Sequence, residues 1–140
     1  MRLISKSPRE TKDAGKRLGR KLRAGDTVCL YGDLGSGKTT FVKGVAGSLG
    51  IPEREIASAS FTIISEHEAK PPLYHIDLYR IDSEADLETT GVYDYIGGDG
   101  IAVIEWAEKM PETEVAVRVA INIFPGDERE IVIEGMEEDP

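Results

Sequence analysis

The 140-residue sequence holds one cysteine, two histidines, fewer bases than acids and no long apolar run. Each shortage excludes something. Cys29 alone closes no internal disulfide, and its place in the apolar run TVCLY (residues 27–31) makes it a core residue rather than a reactive thiol. His67 and His75 are not spaced as metal ligands, so neither is read as one. No apolar run approaches the ~20 residues that span a bilayer. The opening MRLISKSPRE turns polar after Ile4 and carries no apolar signal-peptide core, so a cytoplasmic location and no membrane contact are expected. With 17 bases against 26 acids the net charge is −9, which argues against broad binding of nucleic-acid backbones.

The bases that are present cluster. Residues 9 to 23 hold seven of them against Glu10 and Asp13, a local charge of +5 that leaves −14 on the rest. Such a run is either a solvated helix face or a docking surface for an acidic partner or RNA. The hydrophobic share of 40% and charged share of 31% are those of an ordinary globule, with length for one domain over residues 1–140 and its own core. No repeat or linker divides it.

Helix and strand signals alternate along the first half. Ser7, Pro8 and Glu10 read as N-cap, first helical position and capping-box partner. Ala14, Leu18 and Leu22 then share one face up to Gly25. TVCLY reads as a buried strand, and Phe41, Val42, Val45, Ala46 and Leu49 as a helical stripe stopped by Gly50 and Pro52. Beyond Pro52, residues 61–69 and 73–80 read as neighbouring strands joined by Lys70-Pro71-Pro72. Period-two alternation puts His75, Asp77 and Tyr79 on one face of the second. A short helix over 83–90 begins at the N-cap Ser83. IAVIEW (101–106) is another buried strand, and 115–123 with 129–134 form an antiparallel hairpin ahead of a frayed tail. With the Gly-rich stretch GDLGSGKT (residues 32–39) at phosphate-loop spacing between TVCLY and the helix after it, the expected fold is α/β: a single P-loop NTPase-like domain whose mixed central sheet is flanked by helices.

Between the strand TVCLY and the helix that follows lies GDLGSGKT, with Gly32, Gly37, Lys38 and Thr39 at phosphate-loop spacing. Backbone N–H groups and a helix N-terminus converge on phosphate oxygens in such a loop. The expected nucleotide contacts are Asp33, Leu34, Gly35, Ser36, Gly37, Lys38, Thr39 and Thr40. Lys38 reaches the β- and γ-phosphates and the Thr39 hydroxyl holds Mg²⁺. Hydrolysis needs a carboxylate near the metal, at the end of a buried strand. Glu105, closing IAVIE, fits that role. Asp77 either orients the attacking water or pairs with Arg80, which itself reads equally as a phosphate-charge stabiliser or a structural ion pair. The catalytic candidates are therefore Lys38, Asp77 and Glu105, with Thr39 and Glu105 at the metal. No Asn/Thr-Lys-x-Asp element follows the loop, which favours ATP over GTP.

The segments ETKDAGKRLGRKL, GDLGSGKTTF, SASFTI, LYHIDLYR and VIEWAEKMP, in this order, resemble the bacterial TsaE (formerly YjeE) proteins of tRNA threonylcarbamoyladenosine biosynthesis. The resemblance covers nearly the whole chain. It implies a small Mg-ATP-dependent ATPase, slow in isolation, acting with a TsaB–TsaD complex that modifies adenosine 37 of tRNAs reading ANN codons, with tRNA met only through that complex. It adds Thr11 as a residue near the nucleotide and assigns Asp77 as the family's functional aspartate. The chain departs from the family's Ser-Pro-Thr-Phe at Ser58-Ala59-Ser60-Phe61, which loosens any phosphate-sensing role of that loop. Two alternatives stand beside this reading. A small-molecule kinase would need an acceptor pocket and lid, and no long Arg-rich insertion follows the loop helix. A nucleotide-gated binding module would hydrolyse only incidentally.

Overall fold

The computed structural model describes residues 1–56, 63–111 and 116–136. Seven strands among them form one sheet: β1 (Arg2–Ser5), β2 (Thr27–Tyr31), β3 (Ile64–His67), β4 (Leu73–Asp77), β5 (Ile101–Glu105), β6 (Val117–Ile123) and β7 (Arg129–Glu134). Their spatial order is β1-β7-β6-β2-β5-β4-β3. The four inner strands β6, β2, β5 and β4 run parallel, while β7, β1 and β3 join antiparallel at the two sides. The sheet is mixed, as expected, and β6–β7 is the expected C-terminal hairpin. A parallel strand covered on both faces reads as a near-continuous apolar run, as β2 and β5 do. All five residues of β5 are buried.

Three helices flank the sheet: α1 (Pro8–Gly19), α2 (Lys38–Ser48) and α3 (Glu84–Thr90). The start of α1 is the one its sequence encodes, with the Glu10 N–H donating to Ser7 Oγ at 3.1 Å. The Glu10 carboxylate accepts the Lys6 N–H at 3.0 Å, one residue before the cap. The helix ends earlier than expected, at Gly19 rather than near Gly25. Two turn bonds, Lys21 N–H to Leu18 O and Leu22 N–H to Gly19 O, carry the chain on, so Leu22 still reaches the core. A second departure is β1. Its four residues carry no strand signal of their own and are held by antiparallel pairing with β7.

Side chains alternate between two cores. Val28, Leu30, Leu73, Ile101 and Val103 face α1 and α2, packing on Leu18, Phe41, Val42 and Val45. Cys29, Ile76, Ala102 and Ile104 face the other way, against Leu87, Val92 and Met110. Helices α1 and α2 approach until only glycine fits between them. A Cβ on Gly15 would lie 2.1 Å from Phe41 O, and one on Gly44 would lie 2.0 Å from Lys12 O. The backbone of α1 is thereby set directly against the helix that begins at Lys38. Residues Ser58 to Phe61, and the tail from 137, lie outside the described residues. Among those described, no helix is long and apolar enough to cross a membrane.

Candidate functional site

Parallel strands β2, β5 and β4 end on the same side of the sheet, and three chemical features meet there. The Gly-rich loop leaves β2, Glu105 closes β5, and Asp77 closes β4 directly in register with Glu105. In open α/β sheets, ligands bind at these carboxyl ends. The loop turns into α2 through Gly37, whose φ of 106° suits only a residue without a side chain. No side chain caps this helix N-terminus. The first-turn N–H groups of a helix have no intrahelical acceptors, and unsatisfied donors so arranged suit an external anion.

Lys38 is buried, with 5% exposure, and its ammonium donates to the Gly32 and Asp33 carbonyls of its own loop. Burial holds its pKa below the usual lysine value, against the opposing pull of Glu105, Glu108, Asp77 and Asp33. Thr39 Oγ1 donates to Glu105, 3.1 Å from Oε1 and 3.2 Å from Oε2. Glu105 is 2% exposed, and its Oε2 lies 2.5 Å from His75 Nε2. Asp77 accepts the Tyr79 N–H on Oδ1 at 3.0 Å. Burial raises the Asp77 pKa; the Tyr79 N–H lowers it, Glu105 raises it further, and His75 and Lys38 oppose.

A cleft of about 400 Å³ is bounded by the loop residues from Leu34 to Thr40 and by Asp77, Tyr79, Glu105 and Trp106. A second cleft of about 400 Å³ lies on the other side of the loop, between Ser7, Thr11, Thr40, Asp127 and Arg129. Of the sequence candidates, Leu34, Gly35, Ser36, Gly37, Lys38, Thr39, Thr40, Asp77 and Glu105 meet in the first cleft. Thr11 lines the second, buried and hydrogen-bonded to Ser5 Oγ at 2.7 Å. Asp33 is exposed and contributes its carbonyl to the loop. Arg80 is exposed, outside the residues lining either cleft.

Besides Tyr79, three residues at the site were not among the sequence candidates. Trp106 follows Glu105 with a left-handed backbone (φ 58°), rare for a bulky residue and concentrated at functional sites. Its ring centroid lies 3.9 Å from Lys38 Nζ and 5.2 Å from the Tyr79 ring. Arg129, at the start of β7, donates to Ser36 O at 3.2 Å and so braces the loop. His75 is the third. The aromatic directly after a strand-ending carboxylate was a usable signal for Trp106; Arg129, 90-odd residues from its partner, gave none.

The residues fit a magnesium-bound nucleotide. The uncapped α2 N-terminus and the buried Lys38 ammonium suit phosphate, and Ser36 Oγ is buried with no hydrogen-bond partner. No group of three or more His, Cys, Asp or Glu able to hold a metal occurs among the described residues. One hydroxyl and one carboxylate suffice for Mg²⁺, which keeps waters and substrate oxygens as its other ligands.

The family model "Threonylcarbamoyl adenosine biosynthesis protein TsaE" matches residues 5–131. The chain belongs to the TsaE family. It is 38% identical to the tRNA threonylcarbamoyladenosine biosynthesis protein TsaE of Treponema pallidum, over 95% of this chain and 99% of that one. The Bacillus subtilis protein of the same name is 42% identical, over 89% and 79%. The crystal structure of Bacillus subtilis YdiB superposes with a TM-score of 0.76 at 36% identity, covering 95% of this chain and 83% of that one. The stretch that matches the TsaE family encloses every candidate residue named above.

Proposed function

We propose that this chain binds Mg-ATP at the loop between β2 and α2, hydrolyses it slowly, and serves the threonylcarbamoylation of adenosine 37 in tRNAs reading ANN codons. The observation that carries the reading is one arrangement: an uncapped helix N-terminus, a buried Lys38, and Thr39 hydrogen-bonded to the strand-ending Glu105. The names of the relatives support the pathway. Thr39 and Glu105 would hold Mg²⁺, which supplies charge neutralisation at the phosphates.

The chain's own groups divide the remaining work. The α2 N–H groups grip phosphate oxygens, and the Lys38 ammonium exchanges the Gly32 and Asp33 carbonyls for them. Asp77 has one oxygen taken by the Tyr79 N–H, which leaves Oδ2 to orient a water. Its raised pKa makes it a better proton acceptor than an exposed aspartate. With the nucleotide's needs met by these groups, the energy of hydrolysis goes to a partner, a TsaB–TsaD-type complex that carries the tRNA. The test is depletion of the protein followed by mass analysis of tRNA nucleosides. Threonylcarbamoyladenosine is expected to fall, and to return with the wild-type chain but not with Lys38→Ala. Unchanged modification after depletion would overturn the reading.

A further inference from the structure

His75 takes no direct part in the chemistry above, yet it is among the most deeply placed polar groups of the site, with 5% exposure. It stands on β4 two residues before Asp77, on the same face, and reaches sideways to β5. There its Nε2 meets Glu105 Oε2 at 2.5 Å. A carboxylate accepts only, so the nitrogen carries the proton and donates.

The contact matters because of what else holds Glu105. Thr39 Oγ1 spans both carboxylate oxygens, at 3.1 and 3.2 Å. One hydroxyl placed symmetrically leaves the carboxylate plane free to turn about the last bond of the glutamate side chain, whose torsion is broad. The glutamate also has one rotatable bond more than an aspartate would have there. A second donor, on a different strand and on one oxygen only, removes that freedom. Turning the carboxylate would also redirect the Thr39 hydroxyl, so the three side chains form one chain of orientation: His75, Glu105, Thr39.

We infer that His75 is a positioning residue, whose Nε2–H fixes the Glu105 carboxylate and, through it, the Thr39 hydroxyl for Mg²⁺. The inference rests on the Mg-ATP reading for its consequence, though not for the contact itself. Mispositioned groups near a metal commonly weaken its binding without touching it.

The experiment measures ATP binding by calorimetry across a Mg²⁺ titration, in the full chain. His75→Ala is expected to need at least about 10-fold more Mg²⁺ for half-maximal effect, the scale of one hydrogen bond to a charged group. ATP binding without Mg²⁺ should be unchanged. His75→Gln, which keeps an N–H donor, should recover much of the loss. In a Glu105→Gln background, His75→Ala should add no further shift, because its effect passes through the carboxylate. A buried histidine with a structural role alone would lower thermal stability and leave the Mg²⁺ midpoint where it was; that result in His75→Ala overturns the inference, and so does a folded His75→Gln whose midpoint is shifted as far as that of His75→Ala. Nitrogen-15 NMR of the wild type reads the contact independently of nucleotide. A protonated, hydrogen-bonded Nε2 that changes in Glu105→Ala is expected, and its absence overturns the inference too. A wild type that shows this bond but binds no ATP would instead overturn the proposed function, and the magnesium role of His75 with it.

Discussion

Substituting Gly44 by alanine tests whether α1 and the P-loop helix are held by backbone contact. A Cβ there would lie 2.0 Å from Lys12 O and 2.9 Å from both Lys12 C and Lys16 N. All three are backbone atoms, so no side-chain rotation relieves the overlap. To reach an ordinary carbon–oxygen separation the helices must part by more than an ångström. Overpacking of this kind costs about 1–3 kcal/mol, occasionally more. The higher helix propensity of alanine offsets about 1 kcal/mol. With three contacts below 3 Å the upper end applies, and a net loss of about 2 kcal/mol is expected. Gly47, three residues on in the same helix, is the internal control. A Cβ there meets nothing within 4 Å, so Gly47→Ala should gain about 0.5–1 kcal/mol. Urea unfolding separates the two. With a slope of about 2 kcal/mol per molar, the Gly44→Ala midpoint falls by about 1 M while that of Gly47→Ala rises by a few tenths. A Gly44→Ala protein as stable as Gly47→Ala would refute the backbone-contact account.

Asp77→Asn should stabilise the protein at neutral pH, because burial raises the Asp77 pKa and the folded state therefore favours its protonated form. Wild-type stability falls as pH rises from the unfolded pKa through the raised folded one, so the advantage of the variant should shrink in acid, as thermal melts across pH would show. The same variant should hydrolyse ATP more slowly with little change in Mg-ATP affinity, a split readable from turnover against calorimetry. Trp106 is the single tryptophan and lies 3.9 Å from the Lys38 ammonium, so ATP should change its fluorescence as that ammonium moves; a titration with no change in a protein that binds ATP would contradict the movement. Reversing Arg17, Arg20 and Lys21, at the end of α1 and in the turn after it, to Glu should abolish stimulation of ATP hydrolysis by a TsaB–TsaD complex without altering ATP affinity, and full stimulation would place the docking surface elsewhere.

How far the fold and site could be read from the sequence depended on how local each determinant is. Ser7-Pro8-Glu10 and Ser83 carry their own capping bonds within three residues, and both helices start where those residues say. The apolar runs of β2 and β5 announce strands buried on both faces, and the Gly-rich loop between strand and helix is a contiguous signal. The strand β1 is different. Arg2 to Ser5 are extended because β7, more than 120 residues away, pairs with them, and nothing within four residues foretells that. The end of α1 at Gly19 was missed because Leu22 keeps the helical spacing while the backbone has already turned. At the site, Lys38, Thr39, Asp77 and Glu105 were legible because each sits at a defined place in a local pattern. His75 was visible only as alternation on β4; its partner lies on the next strand, and the pairing of strands is not written locally. Arg129 reaches Ser36 across the sheet for the same reason.

The central claim is that the loop after β2 is a nucleotide site, and ATP binding by the wild type and Lys38→Ala, measured calorimetrically with Mg²⁺ present, tests it most directly. The account predicts one site per chain in the wild type and an affinity about 10- to 150-fold weaker in Lys38→Ala, the loss of one charge-assisted hydrogen bond, with the fold retained. A wild type that binds no ATP, or a folded Lys38→Ala that binds it equally well, would contradict it.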